Sequence, residues 1–228
     1  MKSLEEPIQG GKSYCLVGNQ KMLIVGGGNA SKATMKLDLN SLQLTIVGEL
    51  AQGRSWPGVI FHLNCVWAFG GNTTNMLNTV EEFPLRAEVW NYGESMRHAR
   101  VYFTPCAWKE EIYLASVTPN CATPVEVFNP LSRLYRELPL ILKDAFYGSV
   151  SYITEGQLLL LTYSKRLWKW DLNSQSAQLE DSGVVVQTRL SALSNCPVHR
   201  FGQVLAWPNC NGQLTTLDLH SFSLQEAP

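Results

Sequence analysis

The chain has 228 residues, of which 45% are hydrophobic, 10% aromatic and only 16% charged, a balance that suits a folded, strand-rich protein and excludes a disordered one. Its 18 basic and 19 acidic residues leave a net charge of −1, with no Lys/Arg run, so neither nucleic acid nor an anionic membrane is an expected partner. The opening residues, Met1 to Tyr14, lack the apolar core of a signal peptide, and runs such as Leu158–Leu161 are far too short to span a bilayer, so a cytoplasmic location is expected. Cys15, Cys65, Cys106, Cys121, Cys196 and Cys210 show no CxxC and no Cys/His zinc spacing. They read as free thiols, buried or half-buried, with a disulfide set as the alternative. Asn29-Ala-Ser31 and Asn72-Thr-Thr74 fit the glycosylation sequon, which carries no meaning without export.

One register lines up the whole chain. Five times an apolar or aromatic residue ends a β-like run, a turn follows, and another apolar residue comes seven positions later: Leu37/Leu44, Phe83/Trp90, Phe128/Tyr135, Trp170/Ala177 and Leu217/Leu224. The first members recur roughly every 45 residues, a period that signals a repeat architecture. Two strands precede each pair. Tyr14–Val17 and Met22–Val25 flank a Gly18–Lys21 turn, with Gly26–Gly28 after them. Val59–Leu63 and Cys65–Phe69 flank Asn64, and Gly70-Gly71 follows. Val101–Trp108 and Ile112–Ala115 come next, around Lys109–Glu111. Ser149–Ile153 and Leu158–Tyr163 flank Glu155-Gly156. The fifth repeat is expected as Ser191–Cys196 and Val204–Trp207 around a longer turn at Arg200–Gly202.

The turn before the last strand repeats as Asp38-Leu-Asn-Ser, Asn129-Pro-Leu-Ser, Asp171-Leu-Asn-Ser and Asp218-Leu-His-Ser. Asp or Asn at a turn start can accept from backbone amides two residues on. The second copy departs, with Pro84-Leu-Arg-Ala. Each repeat is thus four short strands, a to d, joined by hairpins, and no segment sustains a helical period. The expected fold is all-β, a β-propeller of four-stranded antiparallel blades. The repeats run over residues 10–50, 51–96, 97–142, 143–187 and 188–228, in a single domain. Residues 1–9 are a candidate ring-closing strand, and a five-bladed ring or part of a longer array are both open.

Arg54, Val66-Trp-Ala-Phe-Gly-Gly71, Thr79-Val-Glu-Glu-Phe83 and Trp90 resemble a kelch repeat: a basic residue opening strand a, a glycine pair after strand b, an aromatic on c and a tryptophan on d. The first repeat matches less well and the third has Ala115-Ser116 for the glycines. The last two match by spacing alone. The glycine pair allows close approach of backbones, the paired aromatics fill the wedge between blades, and the arginine can reach carbonyls or a carboxylate in the adjacent blade. The resemblance implies a propeller, usually of six or seven blades, with the b–c and d–a loops on one peptide-binding face.

On that face the expected partner-binding residues are Asn72, Thr73, Thr74, Asn75, Arg97, His98, Asn120, Lys165, Asn209 and Asn211. The Asn/Thr/Ser-rich loops suit an extended peptide. The basic residues Arg54, Arg97, His98, Arg100, Lys143 and Arg189 suit an acidic motif, although Arg54, Arg100 and Arg189 stand in the structural arginine slot. Catalysis has little support. His62 and His220 sit where polar residues are ordinary, and His98 and His199 are loop candidates without a nearby acid in sequence. Glu81 and Glu82, adjacent on a strand, point to opposite faces. No phosphate loop, metal set or cofactor motif is visible. The expected function is a protein–protein interaction module, an adaptor, scaffold or substrate-recognition domain, as a monomer or part of a longer chain. The alternative is a small carbohydrate-binding, sugar-isomerising or sugar-oxidising propeller enzyme.

Overall fold

The computed structural model describes residues 10–116, 123–142, 149–162, 166–173, 180–185, 198–201, 204–208, 214–219 and 224–226. Among them there are strands and no helix, arranged as four-stranded antiparallel sheets, each a meander in chain order. Sheet one is β1 (Lys12–Val17), β2 (Lys21–Gly26), β3 (Ala33–Asp38) and β4 (Leu44–Glu49). Sheet two is β5 (Gly58–His62), β6 (Cys65–Phe69), β7 (Val80–Pro84) and β8 (Asn91–Tyr92). Sheet three is β9 (Cys106–Trp108), β10 (Glu111–Leu114), β11 (Thr123–Asn129) and β12 (Leu134–Leu142). Sheet four is β13 (Ser149–Thr154), β14 (Gln157–Thr162), β15 (Arg166–Asp171) and β16 (Glu180–Val185). Sheet five is β17 (His199–Phe201), β18 (Val204–Pro208), β19 (Leu214–Asp218) and β20 (Leu224–Glu226).

The core lies between consecutive sheets. β6 is buried at every residue because both of its faces are covered. Val66 and Ala68 pack with Cys15, Leu23 and Val25 of sheet one, whereas Cys65, Trp67 and Phe69 pack with Ile112, Leu114 and Phe128 of sheet three. This is why the strand reads as a continuous apolar run and not as an alternation. Tyr113, Val125 and Val127 in turn meet Leu158, Leu160 and Trp170 of sheet four. Cys15, Cys65 and Cys106 are free buried thiols, each pushed up to about 12 by desolvation.

The aromatic pairs fill these seams. Phe83 and Trp90 lie 5.2 Å apart, and the Trp90 indole donates to the Thr34 hydroxyl of sheet one across 2.8 Å. Phe128 stacks on Tyr135 at 4.6 Å and meets Trp67 edge-on at 5.1 Å. The seven-residue spacing is the rung opposite each hairpin: Leu37 faces Leu44, Phe128 faces Tyr135 and Leu217 faces Leu224. The turns close as the side-chain chemistry requires. Asp38 Oδ1 accepts from the amides of Asn40 and Ser41, Asn129 Oδ1 from Leu131 and Ser132, and Asp171 Oδ1 from Asn173. Leu42, Glu88 and Arg133, each four residues after a turn start, share a left-handed φ of 55°, 51° and 58°.

Several expectations need correction. The first strand of sheet five is His199–Phe201, overlapping the turn expected at Arg200–Gly202, because His199↔Ala206 and Phe201↔Val204 pair directly; residues 191–196 lie outside the described residues. His199 is therefore a strand residue and not a loop candidate. In sheet four Lys169 faces Glu180, whereas its counterpart Lys36 faces Thr45; Ala177 lies outside the described residues. The first strand of sheet three starts at Cys106, not Val101, since residues 101–105 belong to the linker. Trp90, expected on strand d, immediately precedes the two-residue β8 instead of lying on it. Residues 1–9 lie outside the described residues, and sheet five has four strands without them.

Candidate functional site

In sheets one and two the loop after the second strand and the linker that leaves the sheet lie at one end, and there the backbone is woven together. The linker leaving sheet one runs over its glycines: Gly27 donates to the Arg54 carbonyl at 3.1 Å. The linker leaving sheet two repeats this, with Gly71 donating to the Arg100 carbonyl at 2.8 Å. Gly70, at φ 59°, lies so close to that carbonyl that a Cβ would collide with it. The glycine pair is a close-approach device.

The arginine side chains then turn inward. Arg54 is fully buried; its Nη1 donates to the carbonyls of Gly70 (2.8 Å) and Thr79 (3.0 Å), and its Nη2 to Glu81 (2.6 Å). The Glu81 carboxylate also accepts the amides of Ala51 (2.6 Å) and Gln52 (3.1 Å). Sheet three builds the same knot. Arg100 bonds Ser116 and Glu126, and Glu126 accepts the amides of Arg97 (2.7 Å) and His98 (3.3 Å). Burial presses both guanidinium groups below their ordinary value, and the paired glutamates oppose it. These partners lie in the sheet that the arginine opens. The expected reach into the adjacent sheet is thus made by the arginine's carbonyl, while its side chain stays within its own sheet. Arg54 and Arg100 are closed off from any basic lip.

The expected binding residues fall in two groups. Asn72 is held in a bridge to Ser55, with bonds of 2.7 and 2.9 Å, while Thr74 and Asn75 are exposed at the loop tip. Thr73 is half-buried, its amide donating to the Asn75 carbonyl at 3.0 Å. Asn78 ties this loop to the next linker, its side chain donating to the Met96 carbonyl at 3.0 Å, and so brings it beside Arg97 and His98. Those two side chains turn toward Glu137 of β12, at 3.6 Å from Arg97 and 3.1 Å from His98. Asn120, Lys165, Asn209 and Asn211, with Lys143, Arg189 and His220, lie outside the described residues.

Sequence reasoning missed one element of this surface. Trp56 and Tyr102 stand two residues after the buried arginines, are half-buried, and meet with ring centroids 5.0 Å apart. Both have left-handed backbones, φ 51° and 58°, a conformation that bulky residues rarely adopt and that costs about 1–3 kcal/mol unless the surroundings impose it. The signal was available, since an aromatic follows both Arg54 and Arg100 at the same offset.

Several other carboxylates are committed to ion pairs. Glu81 and Glu82 do face opposite ways, the latter bonding Arg133 of sheet three at 2.8 Å. Glu111 pairs with Arg136 at 2.6 Å; burial raises its pKa and the bonds from Arg136 and Tyr113 outweigh that, leaving it below its ordinary value. Burial also lowers His62. No group of three His, Cys, Asp or Glu among the described residues is placed to hold a metal, and no helix among them is long and apolar enough to cross a membrane. No protein-family model matches the chain, and no curated protein matches it.

Proposed function

We propose that the sheets are the blades of one kelch-like β-propeller, and that its loop and linker end binds a protein or peptide partner as an adaptor, scaffold or substrate-recognition domain. The ring is supported by a shared cavity. Cys15, Val59, Cys106 and Ser151, from the first strands of sheets one to four, line it together with Val198, which leads into sheet five. First strands of separate sheets converge in this way when sheets pack radially. The stitch of arginine carbonyl over glycine pair, made twice, supports the kelch-like reading.

The binding reading is carried by the Trp56–Tyr102 pair. Two strained, half-buried aromatics on a cross-linked backbone form a rigid contact surface with little ordering left to lose on binding. Exposed Thr74 and Asn75 and the half-exposed Arg97 and His98 add hydrogen-bonding groups at the same end. An extended peptide presenting a ring, a proline or a cation to the aromatics fits this chemistry. The test is quantitative affinity capture with the parent, Trp56→Ala/Tyr102→Ala, Arg97→Ala/His98→Ala, and Leu131→Ala at the opposite end, each first checked for an unchanged fold by melting. A partner held by the parent and by Leu131→Ala and lost on Trp56→Ala/Tyr102→Ala is expected. Equal retention by all four proteins sinks the assignment.

A further inference from the structure

Two seams of the core hold the same positions with different contents. Between sheets two and three, Trp67 of β6 meets Phe128 edge-on at 5.1 Å, and Glu82, opposite Trp67 on β7, bonds Arg133 of the sheet-three turn at 2.8 Å. Between sheets one and two, the register puts Leu23 in the place of Trp67 and Lys36 in that of Glu82. Glu88 stands where Arg133 does, at the same offset from its turn start. The smaller leucine leaves a notch of about 120 Å³. Val17, Leu23, Val47, Phe83 and Leu85 form its apolar walls, and Lys21, Lys36 and Glu88 also line it. The Glu–Arg pair of one seam is thus a Lys–Glu pair of inverted sign in the other. It stays open, since neither Lys36 nor Glu88 forms an ion pair with a described residue.

We infer that this notch binds a small zwitterion with an aliphatic side chain, the chemistry of a free apolar α-amino acid, its carboxylate held by Lys36 and its ammonium by Glu88. Val17, Val47 and Leu85 are only partly buried against the core of sheets one and two, so a branched chain entering the notch takes their remaining surface from water. The space is a little smaller than the roughly 150 Å³ that admits benzene, a match for about four carbons. Lys21 lies across the hairpin from Asp38 and draws that carboxyl below its ordinary value, so its charge is already answered. One cation and one anion remain, and a ligand with a single charge would answer only one of them. The notch lies at the hairpin end of the two sheets, away from the loop and linker surface, and its test does not depend on the reading of that surface.

Leucine is the probe, titrated into the whole chain and followed by amide NMR shifts at Leu23, Lys36, Val47 and Leu85. Isocaproate lacks its ammonium and isoamylamine its carboxylate. Each should bind about two- to fivefold more weakly, the scale of one exposed ion pair. Glycine, with both charges and no side chain, should not bind. Glu88→Gln should erase the preference for leucine over isocaproate, and Lys36→Met the preference over isoamylamine. Leu23→Trp, which copies the residue of the filled seam, should abolish binding. If that variant melts early, Val17→Phe fills the notch from its edge. The Trp56→Ala/Tyr102→Ala protein should bind leucine as the parent does. Unmoved amides up to the solubility of leucine, glycine or either single-charge analogue binding as tightly as leucine, preferences unchanged in the Lys36 and Glu88 variants, or undiminished binding in the filled variant would each overturn the site.

Discussion

Phe83 and Trp90 on sheet two and Leu37 and Leu44 on sheet one hold the same two positions of the repeat, yet their surroundings differ. Phe83 and Trp90 are 2% and 6% exposed, whereas Leu44 is 38% exposed and Ile46 beside it 74%. The register aligns Tyr14, Ile24, Met35 and Ile46 in one row across sheet one, and Leu16, Met22, Leu37 and Leu44 in the next. All eight are apolar and none is fully buried. The opposite face of the same strands is sealed by sheet two through Cys15, Leu23 and Val25. Patterning decides which residues face a seam; the neighbour decides how much water leaves. In the proposed ring this open face meets sheet five, where Ala206 and Thr216 hold the places of Trp67 and Glu82.

The largest expected effect probes the linker that pins the sealed seam. Arg54→Ala should destabilise by about 3–5 kcal/mol, because it strands a buried Glu81 carboxylate. Urea denaturation reads it, and the double change Arg54→Met/Glu81→Leu should recover only part of the loss, because the Ala51 and Gln52 amides lose the carboxylate they donate to. A drop below about 1 kcal/mol for the single change would show that the knot is incidental. Next, Trp90→Ala should cost about 3–5 kcal/mol as a core aromatic deletion, while Leu44→Ala at the matching position should stay below about 1 kcal/mol. Equal losses would erase the distinction between the two faces.

Local features of the fold were legible in the sequence, and long-range ones were not. The hairpin spacing, the Asp/Asn turn starts, the glycine pair and the aromatic wedge each follow from residues within one repeat, where side-chain chemistry dictates the backbone. The Arg54–Glu81 and Arg100–Glu126 knots link residues more than 25 positions apart, so the sequence showed an arginine slot but not the acid that fills it. A separation of 18 positions likewise hid the tie between Asn78 and Met96. Sheet five was misread because β17 is only three residues long, too short for alternation to register. Trp56 and Tyr102 escaped because left-handed aromatics run against backbone preference, so no propensity argument points to them.

A smaller effect is expected where sheet one stores strain on its open side. Leu42 is 71% exposed and left-handed, so Leu42→Gly removes a Cβ clash worth about 1–2 kcal/mol, part of which glycine's extra unfolded-state entropy cancels. Thermal melting should show a net gain of under about 1 kcal/mol, and a loss would mean that Leu42 packs against a neighbour.

The smallest effect separates two hairpins that differ in one titratable atom. Asp38 in sheet one and Asn129 in sheet three accept the same pair of turn amides, but only Asp38 can take up a proton. The Ser41 amide, with the Ser41 hydroxyl, holds the Asp38 carboxyl below its ordinary 3.8. A depressed folded value means that the unfolded chain binds the proton first. The stabilisation is therefore complete above about pH 4 and lost as pH falls through the lower folded value. Amide exchange followed by NMR should show protection at Ser41 falling relative to Ser132 across that window, with Asp38→Asn abolishing the difference. Parallel loss at both serines would trace the acid sensitivity to the sheets and not to the turn.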